Sequence, residues 1–238
     1  MKLSQRSAVL AIGFVTSGVI LSSTKTIAAT LNIDFIKLTG ITGGSPAGTA
    51  VYRADLSNLE FDLNSLLIQD NSSALGGSPG AFSGFDLDGI KLSSVLVNNA
   101  TEVNAIPGLG GFDFLSGTVF APGSQRPPAD PVLFGTTGSS IDNAIATLGS
   151  FDANSSTGAD AFGFVSLGDN GSVGFNLLSP IAPTEALYVY IGEVGDNGEV
   201  AAGQITVSDA PIDPTPVPEP TSLVGLLLTG LAVARRRS

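Results

Sequence analysis

Short apolar runs, broken roughly every ten residues by clusters of Gly, Ser, Asn, Asp and Pro, set the rhythm of this chain. The runs are rich in Val, Ile, Leu, Phe and Thr, and their spacing predicts an all-β fold, an antiparallel β-sandwich. Strands are expected over Asn32–Leu38, Ala50–Asp55 and Gly89–Val97, with Phe112–Phe120 alternating around Phe112, Phe114 and Phe120. Phe61–Ile68 fits either a strand or a helical turn. Two pairs of runs read as hairpins. Phe162–Leu167 and Ser172–Leu177 flank Gly168-Asp169-Asn170-Gly171, while Leu187–Val194 and Glu199–Val207 flank Gly195-Asp196-Asn197-Gly198. Asn and Gly tolerate the positive φ of tight turns. Ile141, Ala144, Ile145 and Leu148 are spaced for one short helix. Ala121–Pro131, with Pro122, Pro127, Pro128 and Pro131, is a loop.

The two ends break this rhythm. Lys2 and Arg6 precede an uncharged apolar run of 14 residues, Ala8–Leu21, and then the small and polar stretch Ser22–Ala29. That order is expected of a secretory signal peptide cleaved after Ala29. At the other end, Pro211, Pro214, Pro216, Pro218 and Pro220 remove backbone donors and fix φ. They predict an extended spacer over residues 211–220. Thr221–Ala234, 14 uncharged residues, can form a helix of roughly 21 Å at about 1.5 Å per residue. A bilayer core of about 30 Å usually takes about 20 residues, so this segment is short for a permanent span. Arg235, Arg236 and Arg237 follow it. They can snorkel and hold the C-terminus on the cytoplasmic face.

Val217-Pro218-Glu219-Pro220, the apolar run and the arginine cluster resemble, in that order, the PEP-CTERM sorting signal. The resemblance covers about a tenth of the chain, over residues 218–238. It implies an exported bacterial protein recognised by an exosortase, a membrane-embedded cysteine peptidase that cleaves near Pro218, Glu219 and Pro220. It also implies a destination at the cell surface, outer envelope or extracellular matrix. The partners expected are the Sec export machinery, the exosortase, the membrane through the C-terminal helix before processing, and surface polysaccharide. Gly84-Phe85-Asp86-Leu87-Asp88 resembles segments of the secreted jelly-roll modules that accompany this signal, which implies a jelly-roll-like sandwich over residues 30–210.

Between the two end segments, Lys37, Arg53, Lys91 and Arg126 are the only cations, against twenty acidic residues, for a charge of about −16. Such a body repels nucleic acid and anionic lipid headgroups. The absence of cysteine excludes thiol catalysis and Cys-type zinc sites. The absence of histidine excludes Ser-His-Asp catalysis and most transition-metal sites. The chain also lacks tryptophan, which weakens a sugar-stacking reading and leaves that role to phenylalanine.

Asp86 and Asp88, two residues apart and followed by Gly89, form the first candidate for a hard cation, with Asp169-Asn170-Gly171 and Asp196-Asn197-Gly198-Glu199 offering further oxygen ligands that their turn role already explains. The EF-hand pattern is rejected, because no acidic residue stands at its twelfth position. Two readings remain open. One is a solvated Asp-Gly turn. The other is a calcium site that recruits Asp34, Asp62, Asp70 or distant carbonyls. Glycoside hydrolysis needs two carboxyl groups at controlled separation. Glu102, Asp113, Glu185 and Glu193 are available, and no motif singles them out. The expectation is therefore a noncatalytic surface or matrix protein, with a calcium-stabilised carbohydrate-binding or adhesion module as the alternative.

Overall fold

The computed structural model describes residues 28–43, 47–71, 75–152, 163–183, 186–199 and 204–213. Two five-stranded antiparallel sheets face each other across a common core. The first runs in the order β1 (Thr30–Asp34), β12 (Gln204–Ser208), β4 (Leu63–Gln69), β10 (Ser172–Ile181), β6 (Thr118–Ala121). The second runs β2 (Ile36–Lys37), β3 (Thr49–Asp55), β11 (Tyr188–Val194), β5 (Asp86–Ser93), β9 (Val165–Ser166). A ribbon of β7 (Thr136–Thr137) and β8 (Ser140–Ile141) stands apart from both sheets.

The pairings are nested. β1 pairs with β12, β3 with β11, β4 with β10 and β5 with β9. The chain thus behaves as one long antiparallel hairpin whose successive strand pairs alternate between the sheets. In the first sheet, Val207, Leu66 and Phe175 form a cross-strand row, with Val173 opposite Ile68 beside it. All five are at most 1% exposed. Val189, Ile191 and Ala54 meet them from the second sheet. Each fully buried side chain of this kind contributes about 1.5–3 kcal/mol of burial energy.

The second sheet also buries its other face. Because side chains alternate along a strand, Val51 and Tyr190 point away from the inter-sheet core. They pack with Leu38, Val97, Ala100, Val103 and Phe151. The Tyr190 hydroxyl donates to the Val95 carbonyl at 2.7 Å and accepts from the Val97 amide at 3.0 Å. Asn99 caps the short 3₁₀ turn Ala100–Glu102 within that cover.

Several expectations change. Asn32–Leu38 is split into β1 and β2, which belong to different sheets. Phe61–Ile68 resolves as strand β4. Neither expected hairpin forms. β9 and β10 lie in different sheets, as do β11 and β12. The turn residues do take positive φ, 62° at Asn170 and 48° at Asp196. A left-handed turn reverses the chain without deciding whether the next strand pairs alongside or crosses the sandwich. Ile141–Leu148 is no helix. One turn, closed by the Ile145 and Ala146 amides on the Asp142 carbonyl, is enough to bury Ala146. Phe112 makes an isolated bridge to Leu177, and Asp113–Gly117 turns before β6 begins.

Candidate functional site

Asp86-Leu87-Asp88-Gly89 lies on strand β5 rather than in a loop, and both carboxylates are buried, at 4% and 0% exposure. The register explains how. Ile191 opposes Ile90 and Glu193 opposes Leu87, so Asp88 and Gly89 bulge opposite Gly192. A bulge keeps Leu87, Ile90 and Leu92 all facing the inter-sheet core. Asp86 and Asp88 then face the opposite way. Asp86 accepts from the Ser166 hydroxyl on β9. Asp88 accepts from the Thr49 hydroxyl on β3 at 2.5 Å. The two carboxyls lean to opposite sides of β5, Asp86 toward the adjacent β9 and Asp88 past β11 toward β3. Among the described residues, no three acidic side chains gather with the geometry of a metal site. The segment is buried strand and not a solvated turn.

A different set of acidic groups comes together at this end of the sandwich. Arg126, delivered by the Pro-rich loop, is its hub. Its Nη1 donates to the Gly76 carbonyl. Its Nη2 lies 3.4 Å from Glu199 Oε1, and its Nε lies 3.2 Å from Asp169 Oδ1. The Arg126 amide donates to the Ser83 hydroxyl at 2.9 Å, which fixes the loop on the segment before β5. Asp70 accepts the amides of Phe85 and Asn170, both within 2.9 Å. Glu199 fits against Gly77, where any Cβ would overlap its carboxylate.

Glu193 and Glu199 are 0% and 2% exposed, and Glu193 Oε1 and Glu199 Oε2 have no hydrogen-bond partner among the described residues. Burial pushes Glu193 up to about 8, with the charges of Glu199 and Asp196 adding to it. Burial likewise pushes Glu199 up to about 8. Arg126 opposes that rise and Asp70 reinforces it. Asp86 rises well above the ordinary carboxylate range through burial and the nearby Glu199. Tyr52 is pushed up to about 12 by burial, then by Glu193 and Asp196. One guanidinium faces several buried acids here, and burial favours their protonated forms.

Raised carboxyl pKa values often mark catalytic sites. Here the two most perturbed glutamates are sealed. The other acids considered for glycoside hydrolysis have structural uses. Glu102 completes the Asn99 capping box, and Asp113 holds a turn through the Leu115 and Ser116 amides. Glu185 lies outside the described residues.

Ala29 extends the β1–β12 ladder. Its amide donates to Asp209 Oδ1 at 2.8 Å, and its carbonyl accepts from the Asp209 amide at 3.1 Å. Cleavage after Ala29 removes both bonds and leaves Thr30 opposite Ser208. Pro218, Glu219, Pro220, Arg235, Arg236 and Arg237, the helix expected before the arginines, and most of the expected signal peptide lie outside the described residues. Among the described residues, no helix is long and apolar enough to cross a membrane.

The Arg126 cluster was not apparent from the sequence. The available signal was that Arg126 is one of four cations in a strongly acidic body and sits in a loop fixed by prolines. No family model matches the chain, and no curated protein or solved structure matches it.

Proposed function

We propose that this chain is a noncatalytic exported protein of the cell surface or extracellular matrix, processed at a PEP-CTERM-type signal. A signal helix at the N-terminus would direct Sec export. Val217–Pro220, the apolar run and Arg235–Arg237 would hold the precursor in the membrane until an exosortase cuts near Pro218–Pro220. The ordered three-part tail carries this reading.

The body suits such handling. Among the described residues, its last cross-links fall inside the expected spacer, where Asn176 accepts from the Ile212 amide at 2.6 Å and donates to the Ile212 carbonyl at 3.0 Å. A cut near Pro218–Pro220 therefore falls beyond them and leaves the sandwich whole. The absence of Cys and His and the sealing of Glu193 and Glu199 both favour a noncatalytic role. We read the nested pairing as a jelly roll, a double-sheet arrangement common in extracellular modules.

Mass spectrometry of the secreted or matrix fraction tests the proposal. The expected mature protein begins at Thr30 and ends near Pro218–Pro220. Recovery there of an intact C-terminal peptide carrying Arg235–Ser238 overturns the processing step. Recovery of the full chain from the cytosol with Met1 attached overturns export.

A further inference from the structure

The turn at Asp113–Gly117 is built to stay still. Asp113 Oδ1 accepts the Leu115 amide at 2.9 Å and the Ser116 amide at 3.1 Å, and Oδ2 accepts the Ser116 hydroxyl. The Asp113 carbonyl accepts the Gly117 amide at 3.0 Å. A Cβ at Gly117 would come within 2.6 Å of the Asn176 carbonyl and 2.7 Å of the Asp113 carbonyl, so glycine is needed for this close approach. Phe114 is stacked on Phe112 at 5.6 Å, and both rings meet Phe175 edge-on. At the tip, Leu115 is 81% exposed.

Three surface depressions share Phe114 as a wall. One, of about 360 Å³, lies between β6 and the β7–β8 ribbon. A second, of about 260 Å³, shares Leu115 and Asn143 with the first and continues to residues 147–150. The third, of about 160 Å³, continues past Phe112 to residues 108–110. Together they form one groove of linked compartments around a rigid turn.

Among the described residues, Lys91 is the only charged one lining this groove, in a body with twenty acids. Its Nζ is already committed to the Val103 carbonyl at 2.8 Å and the Ile106 carbonyl at 3.3 Å. By contrast, the Asn143 carboxamide and the Ser139 and Ser140 hydroxyls make no side-chain hydrogen bond with any described residue. The groove therefore offers fixed apolar surface, unused neutral donors and acceptors, and almost no charge. That combination matches a chain of uncharged sugar rings, each with an apolar face and a hydroxyl rim. A peptide adding to the edge strand β6 would follow that strand, whereas two of the three compartments lead away from it.

We propose that the groove around Phe114 and Leu115 binds a neutral polysaccharide. This deepens the matrix-protein reading and rests on it for access to such a polymer. Binding by the purified chain is nonetheless measured independently of export, so failure of one does not mimic failure of the other. Affinity electrophoresis of the full chain in native gels cast with dextran, laminarin or galactomannan, with alginate as the anionic counterpart, provides the test. Retardation is expected by at least one neutral polymer and not by alginate. Leu115→Asp puts a charge on a solvent-exposed tip, and Asn143→Ala removes the free carboxamide. Each should weaken retardation at least fivefold with the melting temperature unchanged. No retardation by any of the three neutral polymers, stronger retardation by alginate, or retardation unchanged in both variants overturns the proposal. So does saturable binding of an extended synthetic peptide that Leu115→Asp abolishes while neutral polymers have no effect.

Discussion

The Arg126 end and the Phe114 groove are both polar places on one sandwich, and they are built in opposite ways. The first gathers charge and seals it. Glu193, Glu199, Asp86, Asp70 and Asp169 are buried around one guanidinium. The second is open and nearly uncharged. Its polar groups are amide and hydroxyl, held beside aromatic and aliphatic surface. Buried charge is costly and tightly coupled to stability, while exposed neutral groups are free to exchange partners. Raised pKa values therefore point to the first region, and recognition chemistry points to the second. A strongly shifted group is not by itself a place where substrate arrives.

The contrast breaks most readily at Arg126. Arg126→Met removes the guanidinium that contacts Asp169 and Glu199 and frees the Gly76 carbonyl. The expected loss is about 3 kcal/mol, a fall of roughly 6–12 °C in melting temperature by calorimetry. Neutral-polymer binding at the groove should not change in the protein that remains folded.

Next in size is pH. Glu193 and Glu199 have folded values near 8 against ordinary values of 4.5, and Asp86 is raised in the same direction. The folded state therefore binds more protons than the unfolded state between about 4.5 and 8. Their contribution to stability is fully present below 4.5 and is lost as pH rises to about 8. The melting temperature should fall across that window. A rise across the same window would show that the cluster is ionised and compensated in another way. Glu193→Gln, a neutral near-isostere, should flatten the slope and raise the melting temperature at pH 8, with little effect at pH 4.5.

The smallest expected change in stability sharpens the other side. Asp113 is partly exposed, and hydrogen bonds from Ser116 and Leu115 hold its carboxyl below its usual value. Asp113→Ala should leave the melting temperature within a degree or two and loosen the turn that presents Leu115. Retardation in neutral-polymer gels should then drop severalfold. Unchanged retardation would mean that the turn is not what organises the groove.

Most strands were legible because their signals are local. Ala50–Asp55 differs from β3 by one residue, and the runs after residue 160 each contain a real strand. Pairing was not legible from turns. Asn170 and Asp196 satisfy the requirement for positive φ, and both turns nonetheless carry the chain across the sandwich. Asp86 and Asp88 were misplaced because an Asp-Leu-Asp-Gly sequence has the composition of a turn. Gly192 leaves room for the bulge that buries them. The Arg126–Glu199 contact joins residues far apart in sequence, and no local pattern announces it. Ile141–Leu148 had helical spacing, yet a single turn between β8 and the bridge at Ala146 buries the same apolar residues.

The nested pairing bears on how the molecule is made. Thr30–Asp34 finds its ladder partner only in Gln204–Ser208, nearly the whole body later. Closing loops of that length is slow compared with local pairing. A chain emerging N-terminus first thus carries an orphan edge until its final strand arrives. Whatever threads it in one direction meets a pliable polymer, and completion waits for the last few residues of the sandwich to appear.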